Sequence, residues 1–435
     1  MDEQLLRRWC IDQHTLRALG VTQLLLISIL IAGCGGVPQH SVSGRLGPFP
    51  IQTTVDSQVA QRHLEGRPTP EERTRDDALR QALKGALPAP KALQALAEQT
   101  SVDHASLFFA ERLLEVPKNI AIHRVYFHYL NLREEAITSL HRDEYVVILV
   151  PGYDHVETGA ETGASLTRAR EVLAQVKVKT IFAELNPVGG VEENAAIIAR
   201  VVRDQTTPSQ KVVISGASSG GAAIHYALGS LLTRQEAERV RGWINLGGLM
   251  RGSRMVDWFD SSWRYPFFRA GLWFTRWSAD ALVSMSTERS RDRLKRSALA
   301  PHLVVLNFLG LSLSGSITDS EFSQYHFMRD WGPNDGFSLL PEMILPNTLT
   351  VIAPECDHFF GEDPLIHLKA LALLATVVDL AETRTSCGEC WGDEGPFPSL
   401  AFGGEAPPHL SDPEQDWSEE YQVYQQLPTP ALPSQ

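Results

Sequence analysis

Cysteine is scarce in this sequence, with five in 435 residues. That is too few to staple a small core, so the chain is not a disulfide scaffold. Positive charge is also short. Lys and Arg number 39 against 52 Asp and Glu, which leaves a net charge of −13. A nucleic-acid binder needs clustered basic residues to neutralise phosphates, so no nucleic-acid partner is expected. No apolar run approaches the roughly 20 residues that span a bilayer as a helix, which argues against a multi-span membrane protein. What is present is ordinary: 43% hydrophobic and 21% charged residues, the balance of a globular chain. The length suits two or three domains, or one large α/β domain with extensions.

Both ends differ from the body. Residues 383–435 hold nine acidic residues against Arg384 alone, with eight prolines between Pro396 and Pro433. Such a segment cannot bury enough apolar surface to fold and reads as a disordered tail. Cys387 and Cys390 within it are spaced for a local disulfide; a zinc site would need a second pair. At the other end, Arg7, Arg8 and Arg17 precede the apolar run Leu24 to Ala32, which has the length of a signal-peptide core. The run ends I-A-G-C at Ile31 to Cys34 and resembles a bacterial lipobox. That resemblance implies removal of residues 1–33, acylation of Cys34 and anchoring in the cell envelope. Gly35 in place of Asp favours the outer membrane. Residues 34–69 are rich in Gly, Pro and Ser and read as a flexible tether. Residues 70–144 read as a mostly helical extension that opens with Pro70 and early acids.

From residue 145 onward, apolar runs of strand length alternate with helical patterns. Y-V-V-I-L-V at Tyr145, K-T-I-F-A-E-L at Lys179, K-V-V-I-S at Lys211, Gly242 to Leu246, Leu303 to Leu309 and Thr348 to Ala353 are the strands. This order predicts an α/β fold with a mostly parallel central sheet and helices on both faces. Ligand sites of such sheets lie at the carboxyl ends of the strands. G-A-S-S-G-G at Gly216 to Gly221 falls there, between a buried strand and a helix. Its G-x-S-x-G places Ser218 on a sharp, exposed turn suited to a nucleophile. A serine needs a base oriented by an acid. His358 follows the last strand and Asp335 sits in the turn N-D-G. Asp319, Asp330 and Asp257 are the competing acids.

With V-P-G-Y-D, G-A-S-S-G-G, N-D-G and D-H-F in this order, residues 145–382 resemble the α/β-hydrolase superfamily, in its lipase and esterase branch. The resemblance implies Ser218 as nucleophile, His358 as base and Asp335 as acid. It also implies the backbone N–H groups of Tyr153 and Ser219 as the oxyanion hole. Pro151 and Ala217 stand where lipases often carry histidine, but the donors concerned are backbone groups. No cofactor is implied. No His, Cys, Asp or Glu cluster has metal-ligand spacing along the chain, so no metal is expected. His123, His128 and Cys356 read as packed residues, and His155 as packed with pocket lining as its alternative.

A helical, aromatic-rich cap is expected at about 249–301. Nine aromatics fall between Trp258 and Trp277, interleaved with Arg264, Arg269 and Arg276. They suit a lid over an apolar acyl site, with Trp263 and Phe267 as its substrate contacts. The leading reading is a membrane-anchored serine hydrolase acting on small-molecule or lipid carboxylic esters. An acyltransferase with the same three residues and a non-catalytic binding module are the alternatives. The address is directly testable. Cells expressing the chain should incorporate labelled fatty acid into it, and Cys34→Ser should abolish the label; an unlabelled wild-type product would remove the anchor.

Overall fold

The computed structural model describes residues 39–140, 144–261, 263–266, 269, 272, 277–360 and 363–386. Cys34, Phe267, Cys387, Cys390 and the acidic tail lie outside the described residues. Among the described residues no helix is long and apolar enough to cross a membrane.

Two strands, β1 (His40–Leu46) and β2 (Phe49–Val55), form an antiparallel hairpin of their own. The main sheet follows with β3 (Tyr145–Val150), β4 (Thr180–Phe182), β5 (Lys211–Ala217), β6 (Val240–Leu246), β7 (Val304–Leu311) and β8 (Leu349–Pro354). All six are parallel, in the order β4-β3-β5-β6-β7-β8. Every residue of β3 and β7 is buried, as strands covered on both faces require. Val146 and Ile148 join one core and Val147 and Leu149 the other. This is the α/β-hydrolase fold, and its strand order changes direction at β3. The chain leaves β3 to one side for β4, then returns to place β5 on the other. The carboxyl ends of β3 and β5 therefore flank the crevice where such sheets hold ligands.

The expectation of a tether over residues 34–69 needs correction from residue 40 onward. β1 and β2 bury Val42, Leu46, Phe49, Ile51 and Val55. Helix α1 (Gln58–Leu64) follows, its first turn capped by Ser57 Oγ, which accepts from the Ala60 N–H at 3.1 Å. The apolar residues do alternate along both strands, but Gly44, Gly47, Pro48 and Pro50 give the stretch a loop-like composition.

Helices α2 (Pro70–Leu83), α3 (Pro90–Gln99), α4 (Val102–Leu114), α5 (Pro117–Asn131) and α6 (Arg133–Leu140) make up the extension. They share a core with the sheet: Leu93, Phe108 and Phe127 belong to the same cluster as Val147 and Phe308. The closing helix, Ile366–Ser386, packs between this layer and the sheet. Helix α5 also seals an edge. β8 ends the sheet, and two of its N–H groups find side chains instead of another strand. Thr350 N–H donates to Asn119 Oδ1 and Ile352 N–H donates to His123 Nε2, each at 3.0 Å. His123 returns its own proton through Nδ1 to the Asn119 carbonyl at 2.7 Å. Burial holds this imidazole down to about 4, so it stays neutral and keeps its accepting nitrogen. A covered edge cannot recruit a foreign strand.

A buried polar node joins the extension to the segment that follows β7. Asp103 on α4 accepts from Asp56 N–H at 2.7 Å, Ser314 N–H at 3.0 Å and Tyr325 O–H at 3.1 Å. Arg329 reaches the Asp56 carboxylate at 2.6 Å.

Phe49 tests the corrected hairpin. It is 1% exposed and sits edge-on to His123 and Phe127, with ring centres 5.8 and 5.7 Å away. Phe49→Ala should cost about 3–5 kcal/mol in a urea melt. A loss within about 0.5 kcal/mol, the range of surface substitutions, would return the segment to a tether.

Candidate active site

Ser218 follows β5 and precedes helix α7 (Ser219–Tyr226). Its backbone takes φ 52° and ψ −123°, which a residue with a side chain rarely adopts. Three hydrogen bonds hold it there. Its N–H donates to the Leu246 carbonyl at 3.0 Å, and its carbonyl accepts from Gly221 at 3.0 Å and Leu249 at 3.2 Å. The turn needs small neighbours: a Cβ at Gly220 would lie 2.4 Å from the Pro151 carbonyl oxygen.

His358 sits on the loop beyond β8. Asp357 pins that loop, since its carboxylate accepts from Thr318 N–H and O–H at 2.8 Å each and from Phe359 N–H at 2.9 Å. His358 Nε2 lies 2.9 Å from Ser218 Oγ, and Nδ1 lies 2.6 Å from Asp335 Oδ2. The second carboxylate oxygen of Asp335 accepts from Phe337 N–H at 3.0 Å and Ser338 N–H at 2.8 Å. The turn is completed by Gly336 at φ +105°, a conformation that favours glycine. Because the carboxylate only accepts, Nδ1 must carry the proton in this pair. Nε2 then presents its lone pair to the serine hydroxyl. The imidazole is thus set to take a proton from Oγ.

The structure brings Ser218, His358 and Asp335 into one chain of hydrogen bonds. The competing acids lie elsewhere. Asp257 is engaged with Thr287, accepting from its N–H at 2.8 Å and its O–H at 2.7 Å. Asp319 and Asp330 make no hydrogen bond or ion pair with His358 among the described residues.

Tyr153 follows β3 and faces the same turn. On either side of it, Gly152 N–H donates to the Ala164 carbonyl at 2.9 Å and Asp154 N–H to that of Pro187 at 2.6 Å. The Tyr153 N–H itself, and that of Ser219 at the start of α7, have no acceptor among the described residues. Two such donors beside a serine oxygen can receive a developing oxyanion. Burial, then the neighbouring Asp154 carboxylate, pushes the Tyr153 phenol well above its usual range, so it stays protonated.

Ser218 and His358 open into a cavity of about 860 Å³. Helix α8 (Arg254–Asp260) supplies Met255, Trp258 and Phe259 to one wall, with Trp277, Phe337 and Phe359 on others. Asp154, Glu157, Glu161 and Arg168 bring charged groups to its lining. The expected contact Trp263 is a correction: it is 66% exposed and lies outside this cavity. After Asp260 the chain leaves the helix, and Trp263 stacks on Arg264, whose guanidinium lies 4.3 Å from its ring centre and 4.1 Å from that of Trp258. Trp258 and Phe259, which line the wall, belonged to the same aromatic run. The inward face of α8, residues 255, 256, 258 and 259, was the signal that separates them. His155 does not line the cavity either. Its Nδ1 lies 3.1 Å from the Gly152 carbonyl, behind the loop. His128 pairs with Glu135 at 2.8 Å. Burial pushes the Cys356 thiol up to about 12, which leaves no thiolate for catalysis.

No protein-family model matches the chain, and no curated protein matches it in sequence. Solved structures do resemble it. A metagenomic carboxyl esterase superposes with a TM-score of 0.45 at 19% identity, over 56% of this chain and 77% of its own. A Bacillus licheniformis lipase in its mature form gives 0.41 at 19% identity, over 54% and 91%. Lipase 1 from Pelosinus fermentans gives 0.38 at 13% identity, over 55% and 98%. Likenesses this distant add nothing to the topology already described.

Gly220 tests the geometry of the turn. Gly220→Ala should push the loop of Tyr153 away from Ser218, and displacements near 1 Å cost roughly 100-fold in reactivity. The rate of fluorophosphonate labelling should fall by about that factor while the thermal melt stays cooperative. An unchanged labelling rate would mean that the contact with Pro151 does not set the site.

Proposed function

We propose that this protein is a serine hydrolase that cleaves carboxylic esters of apolar acyl groups through an acyl-enzyme. The observation that carries this is the hydrogen-bonded set Ser218–His358–Asp335 at the mouth of a largely apolar cavity. Ser218 Oγ attacks the ester carbonyl as His358 Nε2 takes its proton. Asp335 holds the Nδ1 proton in place and stabilises the imidazolium that forms. The Tyr153 and Ser219 N–H groups receive the oxyanion. His358 then protonates the leaving alcohol, and the acyl group stays on Ser218. A water molecule, deprotonated by the same nitrogen, releases the acid. The acyl chain extends between α8 and the helix Ile366–Ser386. On the expectation for Cys34, the enzyme works from a lipid anchor in a bacterial envelope, beside the apolar esters that such a cavity suits.

The test is turnover of p-nitrophenyl esters of graded chain length. Each buried CH₂ contributes about 0.8 kcal/mol, nearly fourfold in binding. The part realised in the transition state should raise kcat/KM from acetate through butyrate to a peak at medium or longer chains. Trp258→Ala should flatten that climb more than it slows acetate. Ser218→Ala should lower kcat by on the order of 10⁶ and Asp335→Asn by roughly 10⁴. A Ser218→Ala enzyme that still turns over would end the proposal. A profile highest at acetate and indifferent to Trp258→Ala would confine it to short-chain esters.

A further inference from the structure

Three side chains of the N-terminal helices converge away from Ser218. His63 lies in the last turn of α1, Asp76 on α2 and His104 on α4. A ring nitrogen of each histidine and a carboxylate oxygen of Asp76 all lie within 4.8 Å of one another. We propose that His63, Asp76 and His104 form a site for a single divalent first-row metal ion, of which Zn²⁺ is the type, fastening α1, α2 and α4 together.

The hydrogen bonds around the rings make the argument. Thr100 O–H donates to the Leu96 carbonyl at 2.7 Å, so its oxygen is left to accept from His104 Nδ1, 3.1 Å away. His104 Nδ1 is thus occupied by Thr100, while Nε2 turns inward and lies 3.2 Å from Asp76 Oδ2, where the carboxylate only accepts and the ring proton between them is what a metal ion would displace. His63 repeats the pattern the other way round. Its Nε2 lies 2.7 Å from Glu111 Oε1, a pure acceptor, so Nε2 carries the proton. Its Nδ1 lone pair then faces the same Asp76 Oδ2, at 3.9 Å. Arg75 takes the other Asp76 oxygen at 3.3 Å, and Arg80 the far oxygen of Glu111 at 2.5 Å.

Two ring nitrogens and a carboxylate oxygen thus face one place. One metal ion can take the place of the proton between His104 and Asp76 and draw in His63 Nδ1 as well. The second partners are those that orient metal-binding histidines, a carboxylate behind one ring and a hydroxyl behind the other. The rings stand at 77° with centres 5.1 Å apart, so their lone pairs converge instead of stacking. Tetrahedral zinc with bonds near 2.0–2.1 Å sets its ligands roughly 3.3 Å apart. Closing these three atoms onto an ion takes a movement of about 1 Å. Two imidazoles and one carboxylate are a donor set for zinc and its neighbours, not for calcium or magnesium. The His63 side chain retains 10% exposure and gives an ion a way in.

The test uses the whole chain without an affinity tag, freed of metal by a chelator and dialysed. Zn²⁺ titrated calorimetrically should bind at one equivalent per chain and raise the melting temperature by several degrees. Co²⁺ in its place should give the intense visible bands of a tetrahedral ion with nitrogen and oxygen ligands. His63→Gln, at the rim, should weaken Zn²⁺ binding at least 100-fold, and Thr100→Val by about tenfold through the ring it orients. The proposal is overturned if the chelated chain takes up no stoichiometric Zn²⁺, or if its melt does not respond. It is equally overturned if His63→Gln binds as the wild type does, because the ion would then sit elsewhere. Should His63→Gln fail to fold, the Co²⁺ spectrum of the wild-type chain decides: absence of the tetrahedral bands rejects the site. Ester turnover plays no part in these readings.

Discussion

At Ser218 the chain holds a residue with a side chain at φ 52° and ψ −123°. Conformations this sparsely populated cost on the order of 1–3 kcal/mol and persist only where the surroundings leave no other choice. Here those surroundings are β5 on one side and α7 on the other, with the Ser218 carbonyl fixed by two N–H groups. The strain does geometric work, since it lifts Oγ off the sheet towards the loops beyond β7 and β8. Every other part of the site is arranged to meet it. The loop of Tyr153 comes from β3, Asp335 follows β7, and His358 follows β8.

Those two late loops are not held by the sheet alone. Asp357 clamps Thr318, and the segment from Ser314 to Arg329 leans on Asp103 and Asp56. Below the site, Asn245 donates to Asn307 Oδ1 at 3.1 Å, and Asn307 donates to the Leu349 carbonyl at 2.9 Å. These buried amides link β6, β7 and β8 beneath the loops. The extension is therefore part of the support for Asp335 and His358, even though its described residues contribute no group to the site itself.

Much of this was legible in the sequence, and for a local reason. The strands of the sheet are continuous apolar runs, and Ser218, Asp335 and His358 each fall beyond one of them. The β4 run was read too long because at the sheet's edge only Thr180 to Phe182 pair. The hairpin at 40–55 was missed because its period-two pattern is shared with prolines and glycines that signal a loop. Trp263 was chosen over Trp258 because density of aromatics says nothing about which face of a helix they occupy. The grouping of His63, Asp76 and His104 had no linear signature. Their separations of 13 and 28 residues reflect the lengths of three helices and not a binding motif.

The sealed edge of β8 bears on how the chain is made. Asn119 and His123 precede the strand they cover by 231 and 229 residues. During synthesis they emerge with the extension, long before Thr350 and Ile352 exist to donate to them. Contacts of such sequence separation slow folding, because the entropy of closing the loop must be overcome before the contact is gained. Helix α5 can form early, but its inner polar groups remain without their native partners until nearly the whole α/β body has been translated. The final closure of the sheet is thus a late, long-range event, and a chain interrupted before β8 would expose both an open strand at β7 and the helix meant to finish the edge.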